Sequence, residues 1–135
     1  MENKELGLRV EEIELMSEIA WNARENALIR GSTKVGAAAM SASSAVFPGC
    51  NIEHRFRSHD IHAEVNAIGS MVAAGQKKLS AILVVAEREE FLPCGACMDW
   101  IFEVGGSECL VGFQGKLGGE VKFYRASELM PHYPH

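Results

Sequence analysis

The chain has 135 residues, 47% hydrophobic and 23% charged, enough to bury a core without staples and ordinary for a globular protein. Its formal net charge of −5 excludes broad affinity for a nucleic-acid backbone, which needs clustered Lys and Arg. No apolar run nears the roughly 18 residues that span a bilayer, so no membrane segment is expected.

The charged start Met1-Glu2-Asn3-Lys4-Glu5 lacks the basic opening and apolar stretch of a secretory signal, which makes the cytoplasm the expected compartment. No repeat or linker divides the chain, and residues 1–135 read as one domain. From Val10 to Arg30 the spacing of Val10, Ile13, Met16, Ile19 and Ala20 predicts a helix. Lys34 to Met40 and Ala45 to Ile52 read as a hairpin joined by a Ser/Ala turn, with a bulge expected at Pro48-Gly49. A polar loop, Glu53 to Asp60, leads to a helix over His62 to Ala74 that Gly75 stops. Ser80 to Ala86 has the continuous apolar run of a strand buried on both faces. A helix from Cys94 to about Val104, strands near Cys109 to Phe113 and Val121 to Tyr124, and a short helix around Ala126 to Met130 complete the order. The expected fold is therefore α/β, helices interleaved with a five-stranded sheet whose later strands run in parallel.

The chemistry concentrates in two short segments, His62-Ala63-Glu64 and Pro93-Cys94-Gly95-Ala96-Cys97. Together they are identified as the H-x-E…P-C-x-x-C signature of the zinc deaminases. His62, Cys94 and Cys97 would be metal ligands, and three protein donors leave tetrahedral zinc one position for water, as in a catalytic site. Two thiolates and a neutral imidazole cancel the charge of Zn²⁺, which leaves Glu64 free to move protons. Both segments fall at predicted helix starts, where free N–H groups are expected to favour thiolate over thiol. A C-x-x-C alone also fits a redox pair, or a structural zinc site completed by Cys50, His54 or His59. A redox pair would follow a thioredoxin-like βαβ start, which this late position lacks. Cys109 reads as a small core residue, and a buried thiol is the default for Cys50.

Over nearly its whole length the chain resembles the short, single-domain members of the cytidine deaminase family. Val35-Gly36-Ala37-Ala38 is similar to the family's first-strand motif, and Gly49-Cys50-Asn51-Ile52-Glu53 to its ribose-binding G-x-N-x-E segment. The two zinc motifs follow, and Leu129-Met130-Pro131 resembles the C-terminal Leu-Leu-Pro. The resemblance implies a three-layer α/β/α fold, a mixed five-stranded sheet with helices on both faces. It implies one zinc ion per chain and hydrolytic deamination of a cytidine- or deoxycytidine-like nucleoside, with Glu64 as proton carrier. Asn51 and Glu53 would bind the sugar hydroxyls, and the Ala63 N–H would meet the carbonyl oxygen of the base. A homo-oligomer, tetramer or dimer, is also implied, with sites that borrow residues across interfaces.

The departures concern the pocket. Many short members use Cys where His62 stands, with arginines where this chain has Val65 and Met98. A neutral site needs no such arginines, so the exchange is electrostatically coherent. Thr33 stands where a substrate-packing Phe is usual, Arg57 where a tyrosine is, and His54 where an asparagine is. Lost aromatic contact and added positive charge raise a second expectation: a modified heterocycle, a nucleotide or a nucleoside antibiotic resembling blasticidin S. A zinc-bearing binding module without catalysis is a third reading, against which the unligated Glu64 counts.

Overall fold

The computed structural model describes residues 6–134. The charged start Met1 to Glu5 lies outside them. A five-stranded sheet forms the middle layer, from β1 (Gly36–Ser41), β2 (Val46–Cys50), β3 (Leu79–Val85), β4 (Leu110–Gln114) and β5 (Val121–Arg125), in the order β2-β1-β3-β4-β5. Helix α1 (Val10–Arg24) covers one face; α2 (Ala63–Ala73), α3 (Gly95–Gly105) and the single turn α4 (Ala126–Leu129) cover the other. The result is the expected α/β/α arrangement.

Alternation along β1 explains why both faces need cover. Ala37 and Ala39 pack with α2 and α3, whereas Ala38 and Met40 pack with Met16, Ala20 and Trp21 of α1. Small residues let the helices come close. A Cβ on Gly36 would lie 2.0 Å from the Ala20 carbonyl oxygen, so α1 rests directly on the strand backbone there. At the far side, Gln114 fastens α1 to β4: its Oε1 accepts hydrogen bonds from Ser17 Oγ at 2.7 Å and Trp21 Nε1 at 2.8 Å.

Three expectations need correction. Helix α1 ends at Arg24 rather than Arg30, because the backbone beyond it finds tertiary partners: Leu28 N–H bonds to Asn51 O and Glu53 N–H to Leu28 O. Only β3 and β4 are parallel, joined through α3; β5 runs antiparallel to β4 because the few residues between them can make a hairpin but not a crossover. No bulge occurs at Pro48-Gly49, which pair in regular register with Ala38 and Ala37. Pro48 is tolerated because β2 is the edge strand. The register shift lies instead at Met40/Ser41, between β1 and β3.

Helix α2 closes as expected. Gly75 takes φ +92°, and Gln76 N–H returns to Met71 O at 3.1 Å, the hydrogen bond of a Schellman stop.

Candidate active site

Register brings the site together. Gly36 pairs with both Cys50 and Val85, and Val85 pairs with Gln114, so β2, β3 and β4 all end at one edge of the sheet. The chain leaves β2 toward α2 and β3 toward α3, so both helices begin at that edge on the same face. This is the carboxyl end of the parallel pair, where open α/β sheets hold their ligands.

His62 is the N-cap of α2 and Cys94 the N-cap of α3, both with extended dihedrals. Glu64 is the second residue of α2, and Cys97 lies in the first turn of α3. Pro93 therefore directly precedes the cap. Gly49 sets how near α2 can come: its Cβ would sit 2.4 Å from Ala63 O and Ala67 N. Asn66 adds a tie, its Oδ1 accepting the Cys50 N–H at 2.9 Å.

His62 Nδ1 lies 3.3 Å from Cys97 Sγ and 3.4 Å from Cys94 Sγ. Among the described residues these three form one group whose donor atoms all lie within 4.8 Å of one another; Cys50, His54 and His59 do not join it. Tetrahedral zinc, with nitrogen about 2.0 Å and sulfur about 2.3 Å away, holds such pairs roughly 3.5 Å apart. The donor set and its spacing fit zinc, and it is one donor short of a closed structural site.

Glu64 is 5% exposed and adjoins this group. Burial pushes its carboxyl above the usual range; its own backbone N–H, His62 and Cys97 only partly oppose that. Burial, then Glu64 and Cys94, also push the Cys97 thiol up, against the expectation that a helix start would favour its thiolate. Buried Cys109 is pushed up to about 12, consistent with a core residue. Cys50 is only half-buried.

Before this group opens a cavity of about 290 Å³, near the small end for ligand pockets, which begins at roughly 300 Å³. Thr33, Asn51, Glu53, Ala63 and Arg57 line it. Asn51 and Glu53 also shape its wall. Asn51 Oδ1 accepts the Val35 N–H at 2.9 Å while its Nδ2 donates to Thr33 O at 3.0 Å. Glu53 Oε1 accepts the N–H groups of Arg30 at 2.7 Å and Gly31 at 2.9 Å. Those two bonds, with Arg57, hold its carboxyl below the usual range.

The structure alters the reading of Arg57. Its guanidinium is tied to Glu53 at 3.1 Å and Asp60 at 2.8 Å, so its charge is already answered. Nor does His54 line the cavity; it packs with Phe56 and His59, ring centroids 5.6 and 4.8 Å away. Arg88 and Phe91 are among the lining residues that escaped sequence reasoning. Phe91, two residues before Pro93, was the available signal: an aromatic next to the metal motif. Arg88 had none, because its place depends on how the chain leaves β3.

The comparisons with known proteins agree with this geometry. The model of the "Cytidine and deoxycytidylate deaminase zinc-binding region" matches residues 10–113. A cytidine deaminase of Halalkalibacterium halodurans is 33% identical over 114 residues, 83% of this chain and 86% of that protein. One from Sporosarcina psychrophila is 33% identical over 111 residues, 81% of each chain. The crystal structure of cytidine deaminase from Burkholderia pseudomallei superposes with a TM-score of 0.79 at 34% identity, over 88% of this chain and 96% of that one. With a family model spanning most of its length, a matching fold and a donor group suited to the metal, the chain belongs to the cytidine and deoxycytidylate deaminase family, zinc-dependent hydrolases of the amidine C–N bond.

Proposed function

We propose that the chain deaminates a cytidine- or deoxycytidine-like aminopyrimidine nucleoside to the uridine-type product and ammonia. The observation that carries this is the buried Glu64 beside the His62, Cys94 and Cys97 group, lining a cavity of about 290 Å³. Those three side chains would hold the zinc. When bound, zinc supplies Lewis-acid activation of water.

Glu64 does the proton work. Its carboxylate takes a proton from the attacking water and gives it to the ring nitrogen next to the reacting carbon. The new C–O bond forms as that carbon becomes tetrahedral. Glu64 then carries the second proton to the amine, the C–N bond breaks, and ammonia leaves. Burial that raises its carboxyl suits a group that must alternately hold and release a proton near neutrality. The Ala63 N–H, at the first residue of α2, would orient the base through its carbonyl oxygen. Asn51 and Glu53 would reach the sugar hydroxyls with the lone pairs and N–H left over from their backbone bonds. An analogue without those hydroxyls leaves these groups unpaired, which favours nucleosides over free bases.

We place the reaction in the cytoplasm and in a homo-oligomer. Unpaired cysteines and the absence, among the described residues, of a helix able to cross a membrane support the first; family membership supports the second. The test is ammonia release from cytidine and deoxycytidine by the zinc-loaded protein, with Glu64→Gln beside it. The variant should keep its zinc and lose roughly 10²- to 10⁴-fold in turnover. Turnover that survives in the variant would sink the assignment of Glu64.

A further inference from the structure

Two arginines line the cavity, and their surroundings differ. Arg57 is closed off by Glu53 and Asp60. Arg88 has no ion pair among the described residues, although it sits between acids in the sequence. Two of those acids are engaged elsewhere: Glu87 with Arg24 at 3.8 Å, and Glu90 with Lys122 at 3.8 Å and the Tyr124 hydroxyl at 3.1 Å.

Arg88 is nonetheless well placed. Its guanidinium lies over the Phe91 ring, 4.8 Å from the centroid, and that ring meets buried Phe113 edge-on at 4.9 Å. Its N–H bonds to Ala86 O at 3.0 Å and Gly115 O at 3.2 Å. A Cβ on Gly115 would lie 2.5 Å from the Arg88 carbonyl, so the backbone is held from both sides. Stacking occupies the face of a guanidinium and leaves its N–H donors, which point outward in the plane, available to a forked acceptor.

Resting on the deaminase reading, we propose that Arg88 is a specificity residue that recognises an anionic oxygen group, phosphate or carboxylate, on the aminopyrimidine substrate. The rim otherwise disfavours an anion, since Glu53 and Asp60 share the single Arg57. An anionic group is therefore admitted only where it meets Arg88. Phe91 holds that cation in place and adds to the cavity lining the aromatic surface that Thr33 does not supply.

The test uses zinc-loaded Glu64→Gln protein, so that ligands persist, and calorimetric Kd values for cytidine, its 5′- and 3′-monophosphates and cytidine 5′-carboxylate. At least one anionic ligand should bind about 10- to 100-fold tighter than cytidine, the range expected for charge-assisted hydrogen bonds. Arg88→Gln should collapse that ratio to about one, while Arg88→Lys keeps part of it. The monophosphates against the carboxylate tell which anion is preferred. The proposal is overturned if no anionic ligand outbinds cytidine, or if the preference survives in Arg88→Gln. Ammonia release with Glu64 intact tests the deaminase reading separately. An anion preference without turnover of any cytidine derivative sinks that reading and leaves Arg88 standing; turnover of cytidine without an anion preference does the reverse.

Discussion

The floor and the rim of the cavity are built from different material. At the floor, His62, Glu64, Cys94 and Cys97 occupy the caps and first turns of two helices packed on the sheet. At the rim, Glu53, Arg57 and Asp60 stand on and beside the short 3-10 turn Arg57–His59, tied by side-chain hydrogen bonds and ion pairs, while Arg88 is held by backbone hydrogen bonds and the Phe91 ring. Their carboxyls shift in opposite directions. Glu64 is raised by burial, whereas Glu53 and Asp60 are lowered, each first by a backbone N–H bond. Carboxyls driven apart within one cavity fit the separate tasks proposed for them: Glu64 to move protons, Glu53 and Asp60 to stay charged and hold shape.

The largest separation of floor from rim should come from Cys97→Ala. Removing the most buried donor should abolish zinc retention and drop turnover to background, whereas Arg57→Gln should keep stoichiometric zinc, both read by metal analysis after dialysis. Zinc retained in Cys97→Ala would mean that the floor is not the metal site.

Gly49→Ala is the next blow to the floor, delivered without touching a donor. Its Cβ collides with the backbone of α2, which ought to cost about 1–3 kcal/mol in denaturant unfolding and weaken zinc binding. Asn51→Ala strikes the rim's foundation. Val35 N–H and Thr33 O would lose their partner, for an expected cost of about 1–3 kcal/mol. If that variant instead matches the parent in stability and changes only KM, Asn51 serves the ligand and not the wall.

The smallest effect is the acid titration of the rim. Because the folded carboxyl of Glu53 lies below its unfolded value, its contribution is complete above about pH 4.3 and is lost as pH falls through the lower folded value. Amide resonances of Arg30 and Gly31 should therefore hold steady from neutrality to about pH 4 and move only below it. Movement near pH 6 would contradict the hydrogen-bonded arrangement.

What could be read in the residues was what repeats locally. The α2 helix and its Gly75 stop, the apolar β3 strand and the two zinc motifs all lie within a few positions of their own signals. The end of α1 was not readable, because Leu28 pairs with backbone more than twenty residues away, at Asn51 and Glu53. The direction of β5 was open too, since an apolar run looks alike whichever way its neighbour runs.

The same division holds at the site. The sequence by itself picked out His62, Cys94 and Cys97 as a donor set suited to zinc and Glu64 as the proposed proton carrier, because zinc chemistry demands particular atoms at short, fixed spacings on a helix start. Only the tertiary structure decided what each charge can do. Arg57 and Arg88 are equivalent as letters, yet one is answered by two carboxylates and the other is stacked on Phe91 with no ion pair among the described residues. Charge is a property of the residue, but its availability depends on neighbours that the chain brings together from 30 to 115, and that is settled by packing.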